Sequence, residues 1–172
     1  MKLLEFETMT EAERLRLVRE VYHEAVWENV HEEPLEPEEE TEALRREEQG
    51  FIDFFQTFLA QEKNRYYVLE AAGRWVSALR LTRVRDFYYM EALETAPEEK
   101  RKGYAAHLIN EVIRLLEKRG AVTIRSNVHK KNIPSLAVHE KCGFVIEEEN
   151  GTNHLTGKVS QRLYGMCYRQ EN

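Results

Sequence analysis

The stretch Leu93–Ala106, Leu-Glu-Thr-Ala-Pro-Glu-Glu-Lys-Arg-Lys-Gly-Tyr-Ala-Ala, constrains this chain more than any other. A strand-like run over 87–95 meets a proline turn, a basic loop follows, and a helix opens at Gly103. The first N–H groups of a helix have no partner inside it, and with the helix dipole they collect phosphates. Gly103 has no side chain and Ala105 only a methyl, so a large anion can approach the backbone closely. Lys100, Arg101 and Lys102 add positive charge at the same place. The segment therefore reads as the seat of a pyrophosphate. The plain alternative is an ordinary strand–turn–helix connection with its bases in water. Spacing excludes two other nucleotide loops: no Gly-x-x-x-x-Gly-Lys-Ser/Thr occurs, and no Gly-x-Gly-x-x-Gly follows a strand.

The elements around this stretch follow from periodicity. Lys2–Glu7 suits a first strand. Thr10 and Glu13 form a capping box before an amphipathic helix over about 11–30. A second helix is expected from Pro37 to about Gln61, with Gly50 as a point of interruption. It carries Phe51, Phe54, Phe55 and Phe58 on one stripe, which serves core packing, an acceptor-pocket wall or a dimer contact. Glutamates crowd 28–48, either as a solvated face or as an attractor for a cationic amine. Strands are expected over 65–71 and 74–83, joined by Ala72-Gly73, and again over 87–95. A long helix over 103–119 then crosses to a parallel strand over 122–128. Asn132 caps a short helix that ends at Gly143. Strands over 144–149 and 162–169, separated by a polar loop, complete the sheet.

Length and charge narrow the partners. The 172 residues suit one domain, 1–172, with a sizeable core. A net charge of −6 argues against nucleic acid as a partner, although Lys100–Lys102 and His129–Lys131 are local basic clusters. Cys142 and Cys167 form no Cys-x-x-Cys, so free thiols, a reducing cytoplasmic setting and no metal are expected. No apolar run approaches the ~20 residues that span a bilayer, so no membrane association is expected.

Two blocks together carry a family resemblance. Lys100-x-x-Gly103-x-Ala105 resembles the acyl-CoA pyrophosphate loop of the GNAT superfamily of N-acetyltransferases, which usually has Gln or Arg where this chain has Lys100. Asn132-x-x-Ser135-x-x-Val138-His139-Glu140-Lys141-Cys142-Gly143-Phe144 is similar to that family's second signature, with His139 at the position usually held by Tyr. The resemblance is specific over 93–144 and topological elsewhere.

The resemblance implies an α/β (α+β) fold: a single mixed, mostly antiparallel sheet with two splayed parallel central strands and helices on both faces. It implies acetyl-CoA as cosubstrate, wedged between those strands. Leu93 and Thr95 would hold the pantetheine arm, and Lys100, Arg101, Lys102, Gly103, Tyr104 and Ala105 the pyrophosphate. Asn132 and Ser135 belong to the second cofactor-binding block. An amine would attack the thioester directly, with a backbone N–H near Leu93 polarising the carbonyl. His139 is the candidate acid for the leaving thiolate, with Tyr164, Tyr168 or water in reserve; an exposed helical His is the plain alternative. Glu91, two residues before Leu93 and therefore on the same side of a regular strand, is the candidate base. A non-catalytic acyl-CoA-binding or interaction module is the competing reading. The acceptor amine is not readable, and the phenylalanine stripe leaves a homodimer open.

Overall fold

Two hydrophobic cores form on opposite faces of one sheet, and the site lies where that sheet opens. The computed structural model describes residues 1–170. Strand β1 (Lys2–Phe6) leads to α1 (Glu11–Leu17), whose N-terminus carries the expected capping box between Thr10 and Glu13. A π-helical turn, Val18–Tyr22, then joins α1 to α2 (His23–Val30). Helix α3 (Pro37–Leu59) begins with proline in its first turn and passes Gly50 without a break. Propagation along an amphipathic face outweighs the cost of about 1 kcal/mol for one glycine.

Strands β2 (Asn64–Ala71), β3 (Arg74–Val84) and β4 (Phe87–Thr95) form an antiparallel meander. The Ala72-Gly73 turn has φ of 50° and 76°, the doubly left-handed geometry that matches strand twist. After a 3₁₀ turn at Pro97–Glu99 come α4 (Tyr104–Glu117), β5 (Thr123–His129) and α5 (Ile133–Lys141). Strand β6 (Val145–Glu148) follows, and the segment expected as a polar loop holds a small hairpin, β7 (Gly151–Thr152) with β8 (Val159–Ser160). Strand β9 (Leu163–Arg169) then enters the main sheet between β5 and β6.

The seven-stranded sheet has the order β1-β2-β3-β4-β5-β9-β6, and β4–β5 is its parallel pair. On one face α4 packs Leu108, Ile109, Val112 and Leu116 against Leu79, Leu81, Met90, Ile124 and Val128. On the other, the α1–α3 layer packs Leu17, Val21, Phe55 and Phe58 against Tyr66, Val68 and Ala78. The phenylalanine stripe is therefore core, except that Phe54 is 41% exposed and stacks on Phe58. Both cysteines are free and buried. Among the described residues, no helix is long and apolar enough to cross a membrane.

Candidate active site

The β4–β5 ladder is short. It pairs Tyr88–Met90 with Ile124–Ser126 and then stops. Beyond that point β4 stays on β3, with Glu94 opposite Ala78 and Thr95 opposite Ser77. Strand β5 stays on β9, with Asn127 opposite Gly165 and Val128 opposite Tyr164. The two central strands therefore part, and their facing backbone groups need partners from elsewhere.

The loop above the fork has the geometry of an anion seat. Arg101 and Gly103 both adopt left-handed backbone, φ 64° and 83°. The first backbone bond into α4 runs from His107 N–H to Gly103 O at 3.0 Å, so among the described residues the preceding N–H groups of the helix start have no backbone partner. A Cβ at Gly103 would meet nothing within 4 Å, so the space over the helix start is open. The flanking bases divide their roles. Lys100 is drawn to Glu24 of α2, and Lys102 lies 2.7 Å from Glu99. Arg101 is exposed and has no ion pair among the described residues. Tyr104 packs against the α4 core, and Ala105 lies in the first turn.

Strand β4 carries a bulge at the fork. Arg80 opposes Glu91 and Ala78 opposes Glu94, so Ala92 and Leu93 together face the single residue Leu79. Ala92 takes φ 52°, and its carbonyl accepts a 2.7 Å hydrogen bond from the Tyr22 hydroxyl. The extra residue reverses the alternation. Leu93 packs toward α4, whereas Glu91 turns to the α1–α3 face and lies 3.4 Å from Arg80 Nε. The expectation that Glu91 and Leu93 share a side is therefore corrected. The Arg80 guanidinium in turn covers the Phe54 ring at 4.7 Å.

The bulge also brings in Glu94, which a regular alternation places on the other side of the strand. Burial pushes its carboxyl above the ordinary range, and Glu24 and Glu28 push the same way against Lys100. Its main chain is fixed by Ser77, whose hydroxyl donates to Glu94 O at 2.7 Å and contacts Thr95 Oγ1 at 3.0 Å.

Helix α5 closes the fork from the α4 side. Asn132 Oδ1 accepts the Ser135 N–H at 3.1 Å, the N-cap expected from the sequence. His139 is not an exposed helical residue: it is 2% exposed. Its Nδ1 lies 2.8 Å from Ser135 O, which fixes that nitrogen as the donor; Nε2 lies 3.2 Å from Ser126 Oγ. Ser126 belongs to the last paired rung of the β4–β5 ladder. Burial lowers the imidazole pKa, opposed by the Ser135 carbonyl. Of the reserve tyrosines, Tyr168 donates its hydroxyl to Glu117 at 2.7 Å, while Tyr164 carries Lys130 Nζ over its ring at 4.9 Å.

Just past the fork, a cavity of about 510 Å³ is lined by Tyr89, Glu91, Ala92, Asn127, Gly151 and Lys158. Asn127 Nδ2 donates to Tyr89 Oη at 2.9 Å and Thr152 O at 2.8 Å, which ties β7 to the sheet. Gly151 permits this, because a Cβ there would stand 2.6 Å from Asn127 Oδ1. Thus the fork, the free helix start and a cavity meet along β4. Among the described residues, no His, Cys, Asp or Glu cluster could hold a metal.

Comparison with known proteins agrees with this geometry. A family model described as the acetyltransferase (GNAT) family matches residues 21–144. The PaiA N-acetyltransferase of Thermoplasma acidophilum, solved in complex with coenzyme A, superposes with a TM-score of 0.66 at 14% identity, covering 99% of this chain and 100% of that one. A variant of the spermidine N-acetyltransferase of Vibrio cholerae gives a TM-score of 0.64 at 18% identity, covering 98% and 95%. A ribosomal-protein-alanine N-acetyltransferase of Brucella melitensis gives 0.63 at 18%, covering 99% and 100%. No curated protein matches the chain.

Proposed function

This chain belongs to the GNAT acetyltransferase family, and from that premise we propose that it transfers the acetyl group of acetyl-CoA to a primary amine by direct attack in a ternary complex. The observation that carries the reading is the parting of β4 and β5 beneath a helix start whose N–H groups are free. In this reading the pantetheine amides pair with the opened edge at Leu93 and Thr95. The pyrophosphate rests on the N–H groups of Arg101–Ala105, with Gly103 leaving room and Arg101 supplying charge. Lys100, engaged by Glu24, braces the loop against α2.

The amine nitrogen attacks the thioester carbonyl, whose oxygen draws on the N–H near Leu93, and the C–S bond breaks. The ammonium must first lose a proton. Glu94 is suited to accept it, because burial raises its proton affinity and it shares its face with the acidic side chains of α2. Glu91, held by Arg80 on the wall of the acceptor cavity, orients the incoming amine. The departing thiolate needs a proton, and His139 with Ser126 stands beside the fork to return it. A protonated imidazole there donates from Nε2 to Ser126 Oγ, which frees the Ser126 proton for the sulfur. A depressed pKa makes that imidazolium scarcer at neutral pH and a stronger acid.

The test is thiol release from acetyl-CoA across a panel of primary amines. Release with at least one amine is expected. Tight CoA binding without release from any amine refutes the transferase and favours a binding module.

A further inference from the structure

One ammonium and three carboxylates meet where the loop before α4 passes α2. Lys100 Nζ donates to Glu24 Oε2. Glu28, one turn further along α2, and Glu94, near the end of β4, attract the same ammonium. The cation that the loop carries at Lys100 is therefore engaged by α2. It is one tie among several. Arg74, at the start of β3, holds the Pro97–Glu99 turn through Glu98 at 2.5 Å and Glu99 at 3.7 Å, and Lys102 closes on Glu99 at 2.7 Å. Those ties remain when Lys100 lets go of Glu24.

Magnitudes favour letting go when a stronger anion arrives. The side chains of Lys100 and Glu24 are 45% and 35% exposed, so water screens the pair. Pairs of this kind shift an equilibrium by about fivefold at most. Lys100 directly precedes Arg101, whose N–H opens the proposed pyrophosphate seat. A lysine is a point charge on a flexible stem and can turn to either anion. Its bond to a phosphate oxygen is charge-assisted and roughly twice as strong as a neutral one. The carboxylates left behind lose little. Glu28 is exposed, and Glu24 lines an open cavity of about 660 Å³ beside Trp27 and Pro97, where water replaces the cation.

We propose that Lys100 exchanges partners: Glu24 holds it in the free protein, and the pyrophosphate takes it when coenzyme A binds. Glu24 is then a competitor for the loop's cation. It lowers cofactor affinity from the α2 layer without touching the cofactor. The proposal rests on the reading that seats the pyrophosphate at the start of α4.

The probe is coenzyme A, titrated calorimetrically into the wild type, Glu24→Gln, Glu28→Gln, Lys100→Met and the Glu24→Gln/Lys100→Met double variant. Glu24→Gln should bind coenzyme A about three- to fivefold more tightly. Glu28→Gln removes an equal charge from the same helix without breaking the hydrogen bond, and should shift affinity by less than about twofold. Lys100→Met should weaken binding by about tenfold. In the Lys100→Met background, Glu24→Gln should do no more than Glu28→Gln does, because no shared cation is left. Thermal unfolding of each free variant checks that the fold is unchanged. Unchanged or weaker binding in Glu24→Gln overturns the exchange and leaves a permanent brace. An equal gain in Glu28→Gln, or an equal gain from Glu24→Gln with and without Lys100, overturns it in favour of a bare field effect. A wild type that does not bind coenzyme A loses the pyrophosphate seat and the exchange together, whereas binding with the wrong variant pattern loses the exchange alone.

Discussion

Replacing Gly103 by alanine separates backbone strain from ligand contact, because Gly73 supplies a matched control. Gly103 has φ 83° and Gly73 has φ 76°, and a Cβ at either meets nothing within 4 Å. Each alanine therefore costs mainly the left-handed penalty, about 1–2 kcal/mol. At this chain length that lowers the unfolding temperature by about 2–4 °C per kcal/mol. Both variants should show this drop without ligand. Coenzyme A at a hundredfold excess over Kd should stabilise the wild type by about 2.7 kcal/mol. Gly73→Ala should keep that increment, since the β2–β3 turn meets the Pro97–Glu99 turn through the Arg74 side chain and not through position 73. In Gly103→Ala the new methyl stands where the pyrophosphate would meet the helix start. A hundredfold loss of affinity would cut the increment to about 0.4 kcal/mol. Thermal unfolding with and without coenzyme A reads both quantities on the same samples. A full increment in Gly103→Ala, or an equal loss in Gly73→Ala, would show that the ligand does not rest on Gly103.

Three further outcomes follow from the same geometry. Glu94→Gln should lower kcat by about a hundredfold or more while leaving the fold intact; the acid limb of the kcat profile, placed above the ordinary carboxyl value of 4.5 by burial and by Glu24 and Glu28, should disappear with it, and an unchanged profile removes Glu94 as the base. Tyr22→Phe leaves the Ala92 carbonyl unpaired and should cost about 1–3 kcal/mol in urea unfolding; a change within about 0.5 kcal/mol, the ordinary surface range, means the bulge does not depend on that bond. Burial lowers the folded pKa of His139 below 6.5, so the unfolded chain takes up the proton first as pH falls. Its contribution is present in full above pH ~6.5 and is lost progressively from there down to the folded value. His139→Gln should flatten stability against pH in that window, and an identical pH slope in the variant argues against the buried neutral imidazole.

The loop that leads into α4 was legible in the sequence because every requirement of its backbone is local. Gly103, Ala105 and the basic tripeptide are chosen by the backbone on which they sit, and the same holds for the Asn132 cap and the Thr10–Glu13 capping box. The surroundings of the fork were not legible, because their residues come from distant elements. Tyr22 reads as one more apolar position on a helix. Only the π turn at Val18–Tyr22 and the carbonyl of Ala92 give its hydroxyl a role. His139 stands out by its place in a motif, but its burial was hidden: an i,i−4 bond to Ser135 and a cross-element contact to Ser126 draw it inward. Much of the glutamate run over 28–48 behaves as an ordinary solvated surface. Glu40 contacts His31, Glu42 contacts Arg45 and Arg46, and Glu48 contacts Arg19.

One backbone insertion explains why strand arithmetic failed at the most consequential place. A regular β4 would send Glu91 and Leu93 to one face and Glu94 to the other. With Ala92 and Leu93 both opposite Leu79, the count shifts by one, and Glu91 and Glu94 fall on the same face while Leu93 alone turns to α4. Left-handed alanine at φ 52° costs about 1–2 kcal/mol relative to extended backbone, so something must hold it. The Tyr22 hydroxyl does so from the far layer, and Arg80 holds Glu91 from the adjacent strand. The bulge begins at Ala92, just past the last β4–β5 rung at Met90, where the ladder opens. A strand without the extra residue could still part from its neighbour, but its two carboxylates would stand on opposite sides of the gap, and only one could meet an amine arriving from the α1–α3 face.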